Sequence, residues 1–280
     1  MTAKPISLPP VRARRLWLHA QRLDSRDPFG AGPAATAAAV AHLGYVQIDT
    51  INVIERAHHH ILFSRIPGYR GADLGAAQSA DKSVFEYWAH ALAYIPTADI
   101  AHYTAQMRAY RREPMKWYAG VGTIDVNRVV RLIHDGGPLS IRDVEDDVLV
   151  EKDHPWASRK PSKAALQRAF FEGRLAISGR EGMLKTYELM ERHFGWTTLP
   201  KSATANQTAA YLLDRALRSQ GLVNGASVMH PKLRFSPEIA AIVERRVRRK
   251  ELLPLEVDGE IFYAEPAALD ADAPEPGLTH

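Results

Sequence analysis

Apolar residues recur along this chain at two spacings, and the alternation between them sets out a run of short helices broken by hairpins. The stretch SLPPVRARRLWLHAQRL (7–23) opens on Ser and Pro and then places apolar side chains at helical spacing. AATAAAVAHLGYVQIDT (34–50) reads as a second helix, stopped at Gly44 and running into a strand. VFEYWAHALAYIP (84–96) is aromatic-rich and extended, with Pro96 closing it. The clearest unit starts near Ile124. TIDVNRVVRLIHDGG places Val126, Val129, Val130 and Ile133 on one face before a Gly-Gly stop. PLSIRDVEDD is read as a short second helix with Ser140 as its cap, and KPSKAALQRAFFEGRL as a third helix ending at Gly173. LAISGREGMLKTYEL is then strand, turn and strand, with Glu181-Gly182 at the tip.

Three helices followed by a β-hairpin is the order of a winged helix, a helix-turn-helix variant. A weaker copy follows in TANQTAAYLLDRALRSQGL, SPEIAAIVERRVRRK and the hairpin LLPLEVDGEIFYAEP around Asp258-Gly259. The expected fold is therefore mainly α with small β-hairpins (α+β), as tandem winged helices. The expected units are 1–118, 119–198 and 199–265, with joints in EPMKWYAGVG and FGWTTLPKSAT and a loose acidic tail over 266–280.

Composition narrows the function. The 280 residues carry 46% hydrophobic and 24% charged side chains, an ordinary globular balance. The absence of cysteine rules out disulfides, thiolate nucleophiles and cysteine-bound zinc. Apolar runs fall short of membrane-spanning length, and MTAKPISLPPVRARR lacks a signal peptide's apolar core, so a cytoplasmic protein with no membrane partner is expected. The net charge of +4 is clustered in VRARRLWLHAQR, MRAYRR and VERRVRRK, which favours a polyanionic partner such as DNA.

Within YVQIDTINVI (45–54), an amide and a carboxylate sit two residues apart in an otherwise strand-like segment. Alternation puts Val46, Ile48 and Thr50 on one face and Tyr45, Gln47, Asp49 and Ile51 on the other. Gln47 and Asp49 can then share a water, which the carboxylate orients or deprotonates. The alternative is that Asp49 is a cap or turn partner for TINVI. Read as a strand, HHH (58–60) puts His58 and His60 on one face, with Asp49 or Glu55 as a third metal ligand. Lacking a spaced signature such as HExxH, a solvent- or phosphate-facing run is preferred, and neither metal nor cofactor is expected. His90, among aromatics, reads as a core histidine. In PSKAALQRAFFEGR, Lys163, Gln167 and Arg168 share a face suited to phosphates, and Arg174, Arg180 and Lys185 add charge at the wing.

Three segments together, VQIDTINVIERAHHHILFSRIPGY, FEYWAHALAYIP and KPSKAALQRAFFEGRLAISGREGMLKTYEL, resemble the YcaQ/AlkZ/AlkX family of bacterial winged-helix DNA glycosylases, in order and across about Ser7 to Ala264. The resemblance implies a basic DNA-binding surface, hydrolysis of the N-glycosidic bond of alkylated purines and unhooking of interstrand crosslinks. It gives Gln47 and Asp49 the places of the family's Gln-x-Gln or Gln-x-Asp motif. Arg65, in the first segment, joins the expected DNA contacts. The implied partner is alkylated double-stranded DNA near the nucleoid, with no obligate protein partner. Two departures stand out: Ala91 replaces the Glu of the family's WAHE, and the sequence stops at EPGLTH, before the β-rich SPFDP segment of relatives. The competing reading is a non-catalytic winged-helix regulator; a histidine-metal hydrolase is a third.

Overall fold

The computed structural model describes residues 4–145, 160–229 and 234–270, an α+β chain of short helices and small three-stranded sheets. It divides into two compact units. One comprises Met1–Asp73, Ala89–Ala91 and Thr204–His280, the other Leu74–Trp88 and Leu92–Ala203.

The first unit joins opposite ends of the sequence. Strand Ile6–Ser7 pairs in parallel with Leu253–Val257, which pairs antiparallel with Glu260–Ala264. Asp258 (φ 50°) and Gly259 (φ 81°) make the tight turn between these two, as an Asp-Gly pair should. Leu8, Leu16, Leu222, Leu255 and Ala264 form a small core beneath. A larger one gathers Leu213, Leu217, Val223, Ile239, Ile242, Val243 and Leu252 around the helices Ala205–Gln220 and Pro237–Arg248. The first of these helices starts at a reciprocal cap: Thr204 Oγ1 accepts from the Gln207 N–H (3.2 Å), and Gln207 Oε1 accepts from the Thr204 N–H (2.8 Å).

Helix Gly32–Leu43 buries Ala35, Ala39, Val40 and Leu43 and ends on Gly44 in the left-handed region (φ 80°). A Cβ at Gly44 would collide with Cγ and Cδ of Arg215, so both backbone angle and space require glycine. The chain leaves this stop directly into the strand Val46–Gln47.

In the second unit, Val84–Trp88 and Leu92–Pro96 form the aromatic hairpin expected from the sequence. Helix Thr123–Gly136 buries Val126, Val129 and Ile133 and stops at Gly137. Helix Pro161–Phe171 is followed by the hairpin Leu175–Glu181/Leu184–Leu189, with Gly182 (φ 59°) at its tip. Tyr87, Tyr103, Phe170 and Phe171 interlock in the core, and the buried Tyr87 hydroxyl donates to the Phe171 carbonyl at 2.6 Å. Burial pushes the Tyr87 phenol well above its ordinary pKa.

Three local expectations are corrected. Leu139–Ser140 is a strand, paired to Leu184–Leu189, rather than part of a second helix. Ser140 instead closes a turn, its N–H (2.7 Å) and Oγ (2.8 Å) both donating to Asp143 Oδ2; residues 146–147 of that predicted helix lie outside the described residues. His58–His60 lie in a helix, Ala57–Phe63, not a strand. The start of the predicted loose tail is a short helix, Pro266–Asp270, and residues 271–280 lie outside the described residues. No helix among the described residues is long and apolar enough to cross a membrane.

Candidate functional site

The strand after Gly44 is only two residues long, yet burial alternates beyond it: Val46 and Ile48 are buried, Gln47 is exposed and Asp49 half-buried. The apolar pair anchors the segment and turns the polar pair toward solvent. Thr50 breaks the alternation and is exposed.

Both polar side chains are held. Gln47 Oε1 lies 3.1 Å from His90 Nε2. In the tautomer with the proton on Nε2, the amide oxygen accepts and the Gln47 amide nitrogen is left as a donor. The His90 ring meets Tyr45 edge-on at 5.1 Å, and the Arg215 guanidinium lies 4.9 Å over the Tyr45 ring. Cation, aromatic ring, imidazole and amide thus form one stack of contacts behind Gln47. Asp49 is held through its own turn: Oδ1 accepts the Ile51 N–H at 2.9 Å, while the Asp49 N–H donates to His58 Nδ1 at 3.3 Å.

The three consecutive histidines diverge. His58 is buried and supports the Asp49 backbone, His59 bonds the Tyr69 hydroxyl at 2.6 Å, and exposed His60 reaches the Glu55 carbonyl at 3.1 Å. On a helix, His58 and His60 do not share a face, so the ligand pair that a strand would make does not form. No cluster of three His, Asp or Glu side chains with metal-binding placement occurs among the described residues.

Four cations read from the sequence as DNA contacts are engaged internally. Arg65 is buried, and its guanidinium donates to the Gln21 carbonyl (2.8 Å), Gln21 Oε1 (2.8 Å) and the Ile61 carbonyl (2.9 Å). Arg168 is buried against Glu172 (2.7 Å) and the Val121 carbonyl. Arg180 clamps the fully buried Glu86, which also accepts from Gln78 at 3.0 Å. Burial alone would raise the Glu86 carboxyl pKa; Arg180, with Lys185 and Gln78, more than offsets this and holds it below the ordinary value. Lys185 has its ammonium 5.3 Å from the Phe170 ring centre, and burial lowers its pKa. Lys163, Gln167 and Arg174 are half-buried, with Arg174 Nη1 donating to Asn127 Oδ1 at 2.9 Å.

Sequence reasoning assigned no site role to Tyr45, His90 or Arg215, and weighed His58 only as a metal ligand or a phosphate-facing residue, not as the support of the Asp49 backbone. His90 lies in the turn between two strands, a place unmarked in a stretch that reads as extended from 84 to 96. Nothing local marks Arg215, whose partner is distant in sequence.

Among solved structures the chain is similar to the Streptomyces sahachiroi DNA glycosylase AlkZ, with a TM-score of 0.59 and 17% identity over 98% of this chain and 74% of that one. At that identity the likeness speaks for the fold. A family model described as DNA glycosylase AlkZ-like matches residues 40–279, a span that begins just ahead of the Gln47–Asp49 segment and takes in the rest of both units. The chain belongs to the AlkZ-like family of DNA glycosylases.

Proposed function

We propose that this chain is a monofunctional glycosylase that hydrolyses the N-glycosidic bond of N7- and N3-alkylated purines in double-stranded DNA. The observation that carries the reading is the pair itself: an exposed Gln47 and a half-buried Asp49 on one side of a short strand, each fixed by a separate partner. Alkylation gives the purine a positive charge and makes it a good leaving group. As its bond to C1′ breaks, the sugar takes on oxocarbenium character, which the Asp49 carboxylate stabilises electrostatically. A water donating to Asp49 and accepting from the Gln47 amide attacks C1′, and its proton passes to the carboxylate. The departing purine carries the bonding electrons and is neutral once free. A surface-exposed Gln47 suits bulky adducts, so interstrand crosslinks are included in the proposed range.

The finer architecture is part of the proposal. The order helix Thr123–Gly136, strand Leu139–Ser140, helix Pro161–Phe171 and hairpin, with the first strand paired to the last, supports a winged helix over 119–198. Helices Ala205–Gln220, Gly225–Met229 and Pro237–Arg248, followed by a hairpin and with Val223 bridged to Tyr263, support another over 199–265. The remaining unit, 1–118, would be the one that carries the motif. Of the predicted DNA-facing side chains, Lys163, Gln167 and Arg174 stay in the proposed set.

The test is release of free 7-methylguanine from methylated duplex DNA. Asp49→Asn, which keeps size but loses charge and basicity, is expected to slow release by about 10²–10⁴-fold while leaving duplex affinity intact. Equal release by both proteins would remove Asp49 from the chemistry.

A further inference from the structure

The segment joining Asp49 to the histidine helix exposes what a folded chain normally hides. Ile51 is 68% exposed, and Val53 and Ile54 are 88% exposed each. Single apolar residues on a surface need no explanation, but three branched aliphatics within four consecutive positions form a patch that invites a partner. The segment is tied down at its base. The Ile51 N–H bonds Asp49 Oδ1 at 2.9 Å, the Asp49 N–H bonds His58, and the Glu55 carbonyl meets His60 at 3.1 Å. At its far end stands Arg56, whose Nε is buried without a hydrogen-bond partner, alone in this among the side-chain nitrogens and oxygens of the described residues. Its side chain keeps one-fifth of its surface, and its contact with Glu55 is long, at 4.0 Å.

We infer that Ile51, Val53 and Ile54 form a wedge that enters the base stack of duplex DNA beside the damaged nucleotide, while Arg56 meets a backbone phosphate. The inference rests on the proposed role of Asp49. A carboxylate that must reach C1′ of a stacked, paired nucleotide needs local opening of the duplex. Apolar side chains stabilise that opening by filling the gap and covering the bared base faces. The wedge is linked to the site it serves, since one hydrogen bond joins the Ile51 backbone to the Asp49 carboxylate. A second protein or a second copy of this chain would also cover the patch, but neither accounts for its attachment to Asp49.

The experiment uses the full chain and a Val53→Ser/Ile54→Ser double variant, whose exposed sites leave folding intact, as thermal melting will check. The probe is a duplex with 7-methylguanine beside 2-aminopurine, whose emission rises when it unstacks. Wild type is expected to raise the emission and the variant not. Base release by the variant should fall about tenfold on the paired duplex, and under about threefold when the lesion faces an abasic gap that already loosens the stack. Equal loss on both substrates, or an unchanged 2-aminopurine signal, overturns the wedge. So does a variant that alters only the oligomeric state in light scattering. Emission reads duplex opening without turnover. A wild type that opens DNA but releases no base therefore keeps the wedge and removes the glycosylase reading.

Discussion

Gln47 illustrates how little a side chain's identity says until its neighbours are known. A free amide can flip, presenting either its oxygen or its nitrogen to a bound water, and only the nitrogen can donate. His90 Nε2 lies 3.1 Å from the oxygen, and the tautomer with its proton there occupies that oxygen and leaves the nitrogen to the water. On the proposed mechanism, His90 is a positioning residue for Gln47. His90→Ala is expected to lower kcat for 7-methylguanine release by about tenfold with little change in KM, as loss of an orienting contact commonly does. The discriminating measurement is the double variant with Gln47→Ala. If His90 acts through Gln47, the second substitution adds almost nothing to the first, because neighbours acting as one unit are not additive. Additive losses would show that His90 has an independent part. The sequence placed this histidine among aromatics and suggested a core role. Its ring does contact Tyr45, but the turn at Ala89–Ala91 also brings it to the motif strand, a meeting of residues 43 positions apart that spacing does not reveal.

Elements with a local signal at their ends were legible. Gly44, Gly137 and the Asp258-Gly259 and Glu181-Gly182 turns carry backbone requirements that the residue types announce, and the corresponding stops and hairpins lie where expected. Elements without one were misread. Three successive histidines have no period, so nothing separated strand from helix at 58–60, and Ser140 serves a turn as readily as a helix cap. The roles of Arg168 and Arg180 depended on partners. Arg168 pairs with Glu172 one turn on, which an i,i+4 scan of the helix would have caught, whereas the Glu86 that holds Arg180 lies in another hairpin. Gly44 also links element to site, because the helix stop sets the direction in which the motif strand leaves. Gly44→Ala is expected to destabilise the chain by about 1–2 kcal/mol from the left-handed backbone alone. Displacement of Arg215, which rests on Tyr45, would add to this. Urea unfolding measures the total, and base release should fall along with it. A neutral result would mean that the Arg215–Tyr45–His90 stack does not support the strand.

At the scale of the whole molecule, the first unit gathers three separate pieces of sequence, Met1–Asp73, Ala89–Ala91 and Thr204–His280. Pattern reading proceeds along the chain and assigns neighbours to the same unit, so the pairing of Ile6–Ser7 with Leu253–Val257 was beyond it. Both units nevertheless share one electrostatic property. His42 and His59 in the first, and His102 and His193 in the second, have pKa values lowered from 6.5, with burial the leading cause in each. His42 also sits within 2.6 Å of the Ala20 carbonyl, near the cations Arg22, Arg218 and Arg65, which oppose a further positive charge. A histidine depressed in the fold stays neutral there while the unfolded chain takes up protons near 6.5. Its contribution to stability is then fully present above that value and is lost as pH falls below it. The carboxyl of Glu86 has the same sign in a lower window, since its pKa is held below 4.5. The urea midpoint should therefore be flat from pH 7 to 8, begin to fall as pH drops below 6.5, and fall further below pH 4.5. His42→Gln keeps a donor for the Ala20 carbonyl without a titrating ring, so it should shallow the first fall and leave the second unchanged. A midpoint that rises on acidification from pH 7 to 5.5 would contradict the depressed histidines of both units.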